Sequence, residues 1–339
     1  NSRCSLVRLV SHKGRGNISW EQKLISIIYT IKLFWILHYT IDMKKILFTL
    51  LLLSLILPSV NLSADAALVS NRTYRAEQKK EIKQDIKLIK ELFTTHELAA
   101  NKHDVKALEH FYADNYMNND GFDKKSYFKS IESTWKACDD LTYNTKILSI
   151  NVNGDHASVY VDEIASGTIT ETIDTIPISG EIHSKSKGIY QLIKINGVWY
   201  ISGETSLSDE SSLLYGEARF MNIELQAPEQ VGAGDTYTVS LKVDATPNTF
   251  IVGSIDHDPV TFPSKTPQSE LRALPKSQFL ERLIKANPDN INEYAIASLA
   301  ISKVNNVGGD NFRVYMAGLA CVMKRVNVVP KNNFIKLED

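Results

Sequence analysis

The sequence predicts an α+β protein in two parts, three helices packed on a curved antiparallel sheet and then a mostly β sandwich. Three observations predict it. Apolar residues recur at helical spacing from Tyr74 to about Ala100. The period changes to two after Asp140. Beyond Phe220, short β-branched runs are separated by Gly, Pro and Asn turns. A chain of 339 residues can bury a core in each part.

Ahead of these parts, Met43-Lys44-Lys45 opens onto the apolar run Ile46 to Leu57, followed by Pro58 and the small residues Ala64-Asp65-Ala66. A short positive end, a dozen apolar residues and a small-residue site describe a secretory signal peptide at 43–66, cleaved after Ala66. Signal peptides begin at the initiator Met, so residues 1–42 read as translated upstream sequence. The rival reading makes Leu24 to Ile41 a first membrane helix and Met43 to Val60 a second, but Lys32 and His38 would each be costly inside the first, and Asp42 alone would separate the two. The expected location is therefore periplasmic or extracellular. An uncleaved segment 43–60 is the one membrane tether the sequence offers.

The first predicted helix carries Ile82, Ile86, Ile89 and Phe93 on one stripe, widened by Leu88 and Leu92, with a lysine-rich outer face. Asn101-Lys102-His103-Asp104 breaks it, and Asp104 is placed to cap a second helix from Val105 to Tyr112. Asn118-Asn119-Asp120-Gly121 turns the chain, and Asp123 starts a third helix through Ser126, Phe128, Ile131 and Trp135. Two hairpins follow. One joins Thr142 to Val152 with Ala157 to Ile164 through Asn153-Gly154-Asp155. The other joins Gly188 to Ile195 with Trp199 to Gly203 through Asn196-Gly197. Between them, the Thr- and Ile-rich stretch Thr168 to Ile182 is a further strand or a long excursion.

Three segments carry a family resemblance: His96-Glu97-Leu98-Ala99-Ala100, the run from Ala107 to Tyr116, and the ending Gly188 to Ile201 with its Asn196-Gly197-Val198-Trp199 turn. Together they resemble the nuclear transport factor 2-like (SnoaL-like) superfamily over about residues 72–206. The resemblance implies that the helices and bent sheet form a cone with a pocket. It also implies a homodimer through the open sheet face. It is nearly silent about activity, because the superfamily includes isomerases, dehydratases, binding modules and subunits without catalysis.

The rest has a different texture. Met221 to Gln226, Tyr237 to Val243, Thr249 to Ser254, Tyr294 to Ser302 and Phe312 to Val329 read as strands, and Lys276 to Ala286 as a helix stopped by Asn287-Pro288. The run Pro228 to Val239 resembles the opening of exported immunoglobulin-like modules. The resulting organisation is a cone domain at 67–206, a linker at 207–217 rich in Ser, Asp and Glu, a β-sandwich at 218–332 and a tail at 333–339.

Composition narrows the partners. With 38 Lys plus Arg against 39 Asp plus Glu there is no basic field to hold a polyanion, so nucleic acid is not an expected partner. Cys138 and Cys321 sit in apolar contexts and read as buried free thiols. There is no CxxC pair, phosphate loop, GxSxG elbow or HExxH helix.

In catalytic members of the superfamily an Asp or His in the pocket moves a proton beside a Tyr or Trp. The residues of the right type here are Tyr116, Trp135, Asp162, Glu163, His183 and Tyr190, and a carboxylate in an apolar pocket would have a raised pKa. Asp256-His257-Asp258-Pro259 is the weak candidate for a metal, since Asp256 and Asp258 share one face of an extended segment but supply too few oxygens for calcium. No cofactor is expected. The functional expectation is an exported, non-catalytic protein whose pocket takes a small apolar molecule or a protein partner. The alternative is a small-molecule enzyme of isomerase, dehydratase or hydrolase type using acid and base residues in the same pocket.

Overall fold

The computed structural model describes residues 64–173, 176–245, 247–262, 270–308 and 311–331. The upstream segment 1–42, the apolar run of the signal peptide and the tail at 333–339 lie outside the described residues. Two compact units divide the chain, Asn1–Arg75 and Ala76–Asp339, and the packing described below belongs to the second. No described helix is long and apolar enough to cross a membrane.

The elements in order are α1 (Ala64–Asn101), α2 (Val105–Glu109), β1 (Tyr112–Asn118), α3 (Lys124–Ala137), β2 (Thr142–Asn153), β3 (His156–Ile173), β4 (Ile176–Ile195) and β5 (Val198–Gly216). A short 3-10 helix, Glu217–Phe220, leads to β6 (Ile223–Gln226), β7 (Gln230–Gly232), β8 (Thr236–Val243), β9 (Thr249–Pro259), β10 (Arg272–Ala273), β11 (Phe279–Lys285), β12 (Glu293–Gly308) and β13 (Asn311–Val329).

Local chemistry explains many of these boundaries. Asp104 caps α2 by accepting from the Ala107 N–H at 3.0 Å, and Asp123 caps α3 by accepting from the Ser126 N–H at 2.8 Å. Asn196 and Gly197 both adopt positive φ, 51° and 82°, the conformation that a tight hairpin between right-twisted strands requires. The Thr- and Ile-rich stretch lengthens β3 and β4, which stay paired to Ile173 and Ile176. The predicted strands beyond Phe220 coincide with β6, β8, β9, β12 and β13.

The expected fold class does not hold. The described chain is mostly β, and a cone of three helices on its own sheet followed by a separate sandwich is not what forms. Among the described residues ten strands belong to one sheet, with the order β10-β9-β12-β13-β5-β4-β3-β2, β1 added to β5 and β7 to β13. The cause lies in 207–217, which is strand almost throughout. Residues Glu210 to Tyr215 of β5 pair with β4 on one side, and Glu210 to Gly216 pair with Lys324 to Gly318 of β13 on the other. Its acidic groups are partnered where they stand. Glu210 accepts from Lys324 at 2.6 Å, and Asp209 accepts from the Tyr294 hydroxyl at 2.7 Å. A Ser, Asp and Glu composition signals a linker only when such partners are lacking.

The helix expected at Lys276 to Ala286 is also a strand, β11, which pairs along its length with β8. Its apolar residues fit either period. Pairing with an existing strand, and burial of Ile284 between flanking prolines at Pro275 and Pro288, decides in favour of β.

Two apolar clusters result. The first joins Ile89, Phe93 and Ala100 of α1, Phe128 and Trp135 of α3, and Val159, Val161, Tyr190, Leu192 and Ile201 of the sheet. The second joins Val239, Leu241 and Val243 of the small sheet β11-β8-β6 with Ile251, Ala297, Leu299 and Ile301 of the large one. Polar anchors fix the layers. Buried Asp85 of α1 accepts from Trp199 Nε1 at 3.1 Å and pairs with Lys194 at 2.7 Å. Arg325 of β13 grips Asp120, in the turn after β1, through two bonds of 2.6 and 3.0 Å.

Candidate functional site

Where α1 and α3 lie over strands β2 to β5, the packing leaves a cavity of about 180 Å³. Its walls carry Tyr112, Tyr127, Trp135, Tyr143 and Tyr190 beside Glu97, Glu163 and Glu204, with His96 among them. The volume falls below the ~300–1,000 Å³ of drug-sized pockets, so only a small molecule fits.

Alternation along β3 turns Val159, Val161 and Glu163 to the helices. The Glu163 carboxylate accepts from Thr145 Oγ1 at 3.1 Å and from the Tyr190 hydroxyl at 3.2 Å. Burial raises its pKa, the two donors oppose the rise, and repulsion from Glu97 adds to it. Glu97 itself accepts from the Thr145 N–H at 2.6 Å.

Glu204 reaches the same space by an irregularity. Trp199 and Ile201 of β5 are buried, so strict alternation would send Gly203 and Thr205 inward next. The register between β4 and β5 slips at this point: Leu192 faces Ile201, whereas Tyr190 faces Glu204, leaving Ser202 as the extra residue. A bulge of this kind reverses which face a strand presents. It turns Glu204 in beside Tyr190. There the carboxylate accepts from the Tyr116 hydroxyl at 3.2 Å. Burial, then the charge of Glu163, pushes its pKa up to about 7 against the pull of the Tyr116 and Tyr127 hydroxyls.

His96 Nε2 lies 2.9 Å from the Tyr112 hydroxyl, and burial holds its pKa down to about 4, so the imidazole is neutral at physiological pH. Tyr112, Tyr116 and Tyr127 pack ring against ring with centroids 5.0 to 5.7 Å apart. Burial raises all three phenols, and the charge of Glu204 raises them further, so they stay protonated donors. Trp135 donates to the Tyr143 hydroxyl at 2.9 Å and stacks on His103 at 4.7 Å. Chemically, the arrangement is a pair of repelling carboxylates, one of them, Glu204, pushed up to about 7, surrounded by phenol donors.

Of the residues singled out in the sequence, Trp135, Glu163 and Tyr190 line the cavity, and Tyr116 stands behind it as a donor to Glu204. Two lie elsewhere. Asp162 is on the opposite face of β3, registered with Lys146 and Lys187. His183 is exposed and sits 3.6 Å from Glu181. Glu204, His96, Glu97, Tyr127 and Tyr143 were not singled out. His96 and Glu97 carried a signal in the buried stripe of α1, whereas Glu204 depends on a bulge with no local sequence mark.

Asp256 and Asp258 do not converge on a metal site. Asp256 is bound to Arg282, and between them His257 Nδ1 turns to Glu293 at 3.3 Å. Among the described residues no three His, Cys, Asp or Glu side chains are grouped to hold a metal ion. Cys138 and Cys321 are free thiols, the first buried and the second half-buried, and burial raises the pKa of both.

No protein-family model matches the sequence, and no curated protein matches it. Solved structures similar to part of the chain include a putative scytalone dehydratase from Novosphingobium aromaticivorans, at 13% identity over 38% of this chain and 86% of that one, with a TM-score of 0.32. The hexachlorocyclohexane dehydrochlorinase LinA-type3 from Novosphingobium barchaimii matches at 15% identity over 38% and 88%, TM-score 0.30. A putative dehydratase of the NTF2-like family from Streptomyces avermitilis matches at 11% identity over 37% and 96%, TM-score 0.28. Each of these matches covers only a partial segment of this chain. Likeness at this level carries no argument about activity or substrate.

Proposed function

We propose that this chain is an exported small-molecule-binding protein whose ligand occupies the cavity between α1, α3 and strands β2 to β5. One observation carries the reading: Glu163 and Glu204, from strands that are not neighbours in the sheet, converge with Tyr190 and Trp135 on a space that side chains leave open. A structural role would have been served by filling that space, since interiors otherwise pack to crystal-like density. The Met43 run with its small-residue site supports export.

A second reading is favoured by a specific feature. A carboxyl group titrating near 7 beside phenol donors suits general acid or base catalysis, so an enzyme acting on the bound molecule uses the same residues.

Native mass spectrometry of the purified chain and of Ala165→Phe tests the pocket. Ala165 lines the cavity two residues beyond Glu163, on the same face of β3. The wild-type chain is expected to carry a small noncovalent adduct that the variant lacks, with both folded by circular dichroism. Equal adduct on both, or none on either, would count against a ligand in this cavity.

A further inference from the structure

We propose that the ligand is a small organic cation, an alkylammonium or quaternary ammonium compound. The inference rests on the reading of the cavity as a ligand site and names the chemistry that site selects.

Charge is the first argument. Three carboxylates, those of Glu97, Glu163 and Glu204, border one space of about 180 Å³, and among the described residues no Lys or Arg lines it. Two buried or half-buried basic groups are engaged elsewhere. Lys124 donates to the Tyr112 carbonyl at 2.8 Å and Arg325 to Asp120. The imidazole of His96 is too deeply buried to carry a compensating charge. Carboxylates gathered without a cation repel each other, and a positive ligand relieves that repulsion while replacing its own lost hydration.

The second argument is the wall. Five of the fourteen other lining residues, Tyr112, Tyr127, Tyr143, Tyr190 and Trp135, are electron-rich rings. Aromatic faces attract cations through the ring quadrupole, more strongly where water is excluded. An anionic ligand would meet three carboxylates. A neutral apolar one would leave them desolvated with no counter-charge, which replaces the small apolar molecule expected for the pocket from the sequence.

The groups facing Glu204 set the pH dependence. Glu97 and the neutral His96 approach from α1, Tyr112 and Tyr116 from β1, Tyr127 from α3, Glu163 from β3 and Tyr190 from β4, while the charge of Asp120 acts from the turn after β1. Of these groups Glu204, pushed up to about 7, is the one that changes charge between pH 6 and 8. A cation therefore binds with Glu204 deprotonated and displaces its proton to solvent.

Calorimetric titration of the full chain with tetramethylammonium, choline and 3,3-dimethylbutan-1-ol, the uncharged isostere of choline, tests the inference. The cations are expected to bind about tenfold more tightly at pH 8 than at pH 6, with proton release seen as a dependence of the heat on buffer. The neutral alcohol is expected to bind at least tenfold more weakly. Glu204→Gln is expected to flatten the pH dependence, and Ala165→Phe to abolish binding. Equal or tighter binding of the alcohol overturns the cation and leaves the pocket standing. No binding by either cation overturns the inference, and cation binding that survives Ala165→Phe removes both it and the pocket reading.

Discussion

Two buried glutamates in this molecule show opposite electrostatic treatment. In the second half, Glu293 accepts from the Tyr237 hydroxyl at 2.7 Å, from the Asn287 N–H at 3.2 Å and from His257 at 3.3 Å. Burial alone would raise its pKa, but the His257 and Tyr237 bonds and the charge of His257 bring it below the ordinary carboxyl value. Glu204 also receives tyrosine hydroxyls but no cation, and faces Glu163 instead, so its pKa rises to about 7. The same side chain, buried with the same type of donor, is a structural anion in one place and a proton store in the other. The presence of a cation decides which, and a buried carboxylate left without one is where a ligand can be useful.

The strongest way to break the comparison is at the paired end. Arg325 is almost fully buried, and its guanidinium holds both oxygens of Asp120, which also accepts from Asn292 at 2.8 Å. Arg325→Met should cost about 3–5 kcal/mol in chemical denaturation, because it leaves Asp120 buried and uncompensated. Adding Asp120→Asn should recover part of that loss. A loss under about 1 kcal/mol in the single variant would mean that the pair is not what holds β13 to the turn after β1.

A smaller effect, of opposite sign, is expected at the unpaired end. Glu204 has its folded pKa raised from 4.5 to about 7. The contribution of the protonated group to stability is thus fully present below pH 4.5, declines as pH rises and is lost above 7. Glu204→Gln removes that penalty and should stabilise the protein at pH 8 by up to about 3 kcal/mol, with the gain vanishing below pH 4.5. Glu293→Gln should destabilise over the whole range from pH 5 to 8. Thermal melts of the two variants across that range separate them, and parallel profiles would defeat the distinction drawn here.

How much of this was legible in the sequence follows the range of the interactions involved. Caps at Asp104 and Asp123 and the Asn196-Gly197 turn are decided by neighbours in the chain, and they stand where the pattern puts them. Residues 207–217 and 276–286 misled because their structure depends on partners over a hundred residues away or in a facing strand, as with Glu210 and Lys324. The site divides in the same way. Glu163 and Tyr190 follow from alternation, whereas Glu204 faces the cavity only because Ser202 is bulged, a property of the pairing with β4 and not of β5 alone. Asp162 was chosen with Glu163 for its type, and the two-residue period separates them.

The smallest expected effect sharpens the paired side of the comparison through His257. Its hydrogen bond to Glu293 raises its pKa above 6.5, burial opposes the rise, and the charge of Glu293 adds to it while Arg282 works against it. For a histidine with a raised folded value, the added stability is fully present below 6.5 and is lost as pH rises through the folded value. His257 keeps about a third of its side chain in solvent, so screening holds the contribution below about 1 kcal/mol. His257→Gln should therefore be slightly destabilising at pH 6 and neutral at pH 9. An NMR titration gives the sharper reading. The His257 midpoint should lie above 6.5 in the wild-type chain and drop in Glu293→Gln. A midpoint at or below 6.5 would mean that Glu293 is held down by Tyr237 and the Asn287 N–H without a cation, and the contrast with Glu204 would then rest on the number of hydrogen-bond donors and not on charge.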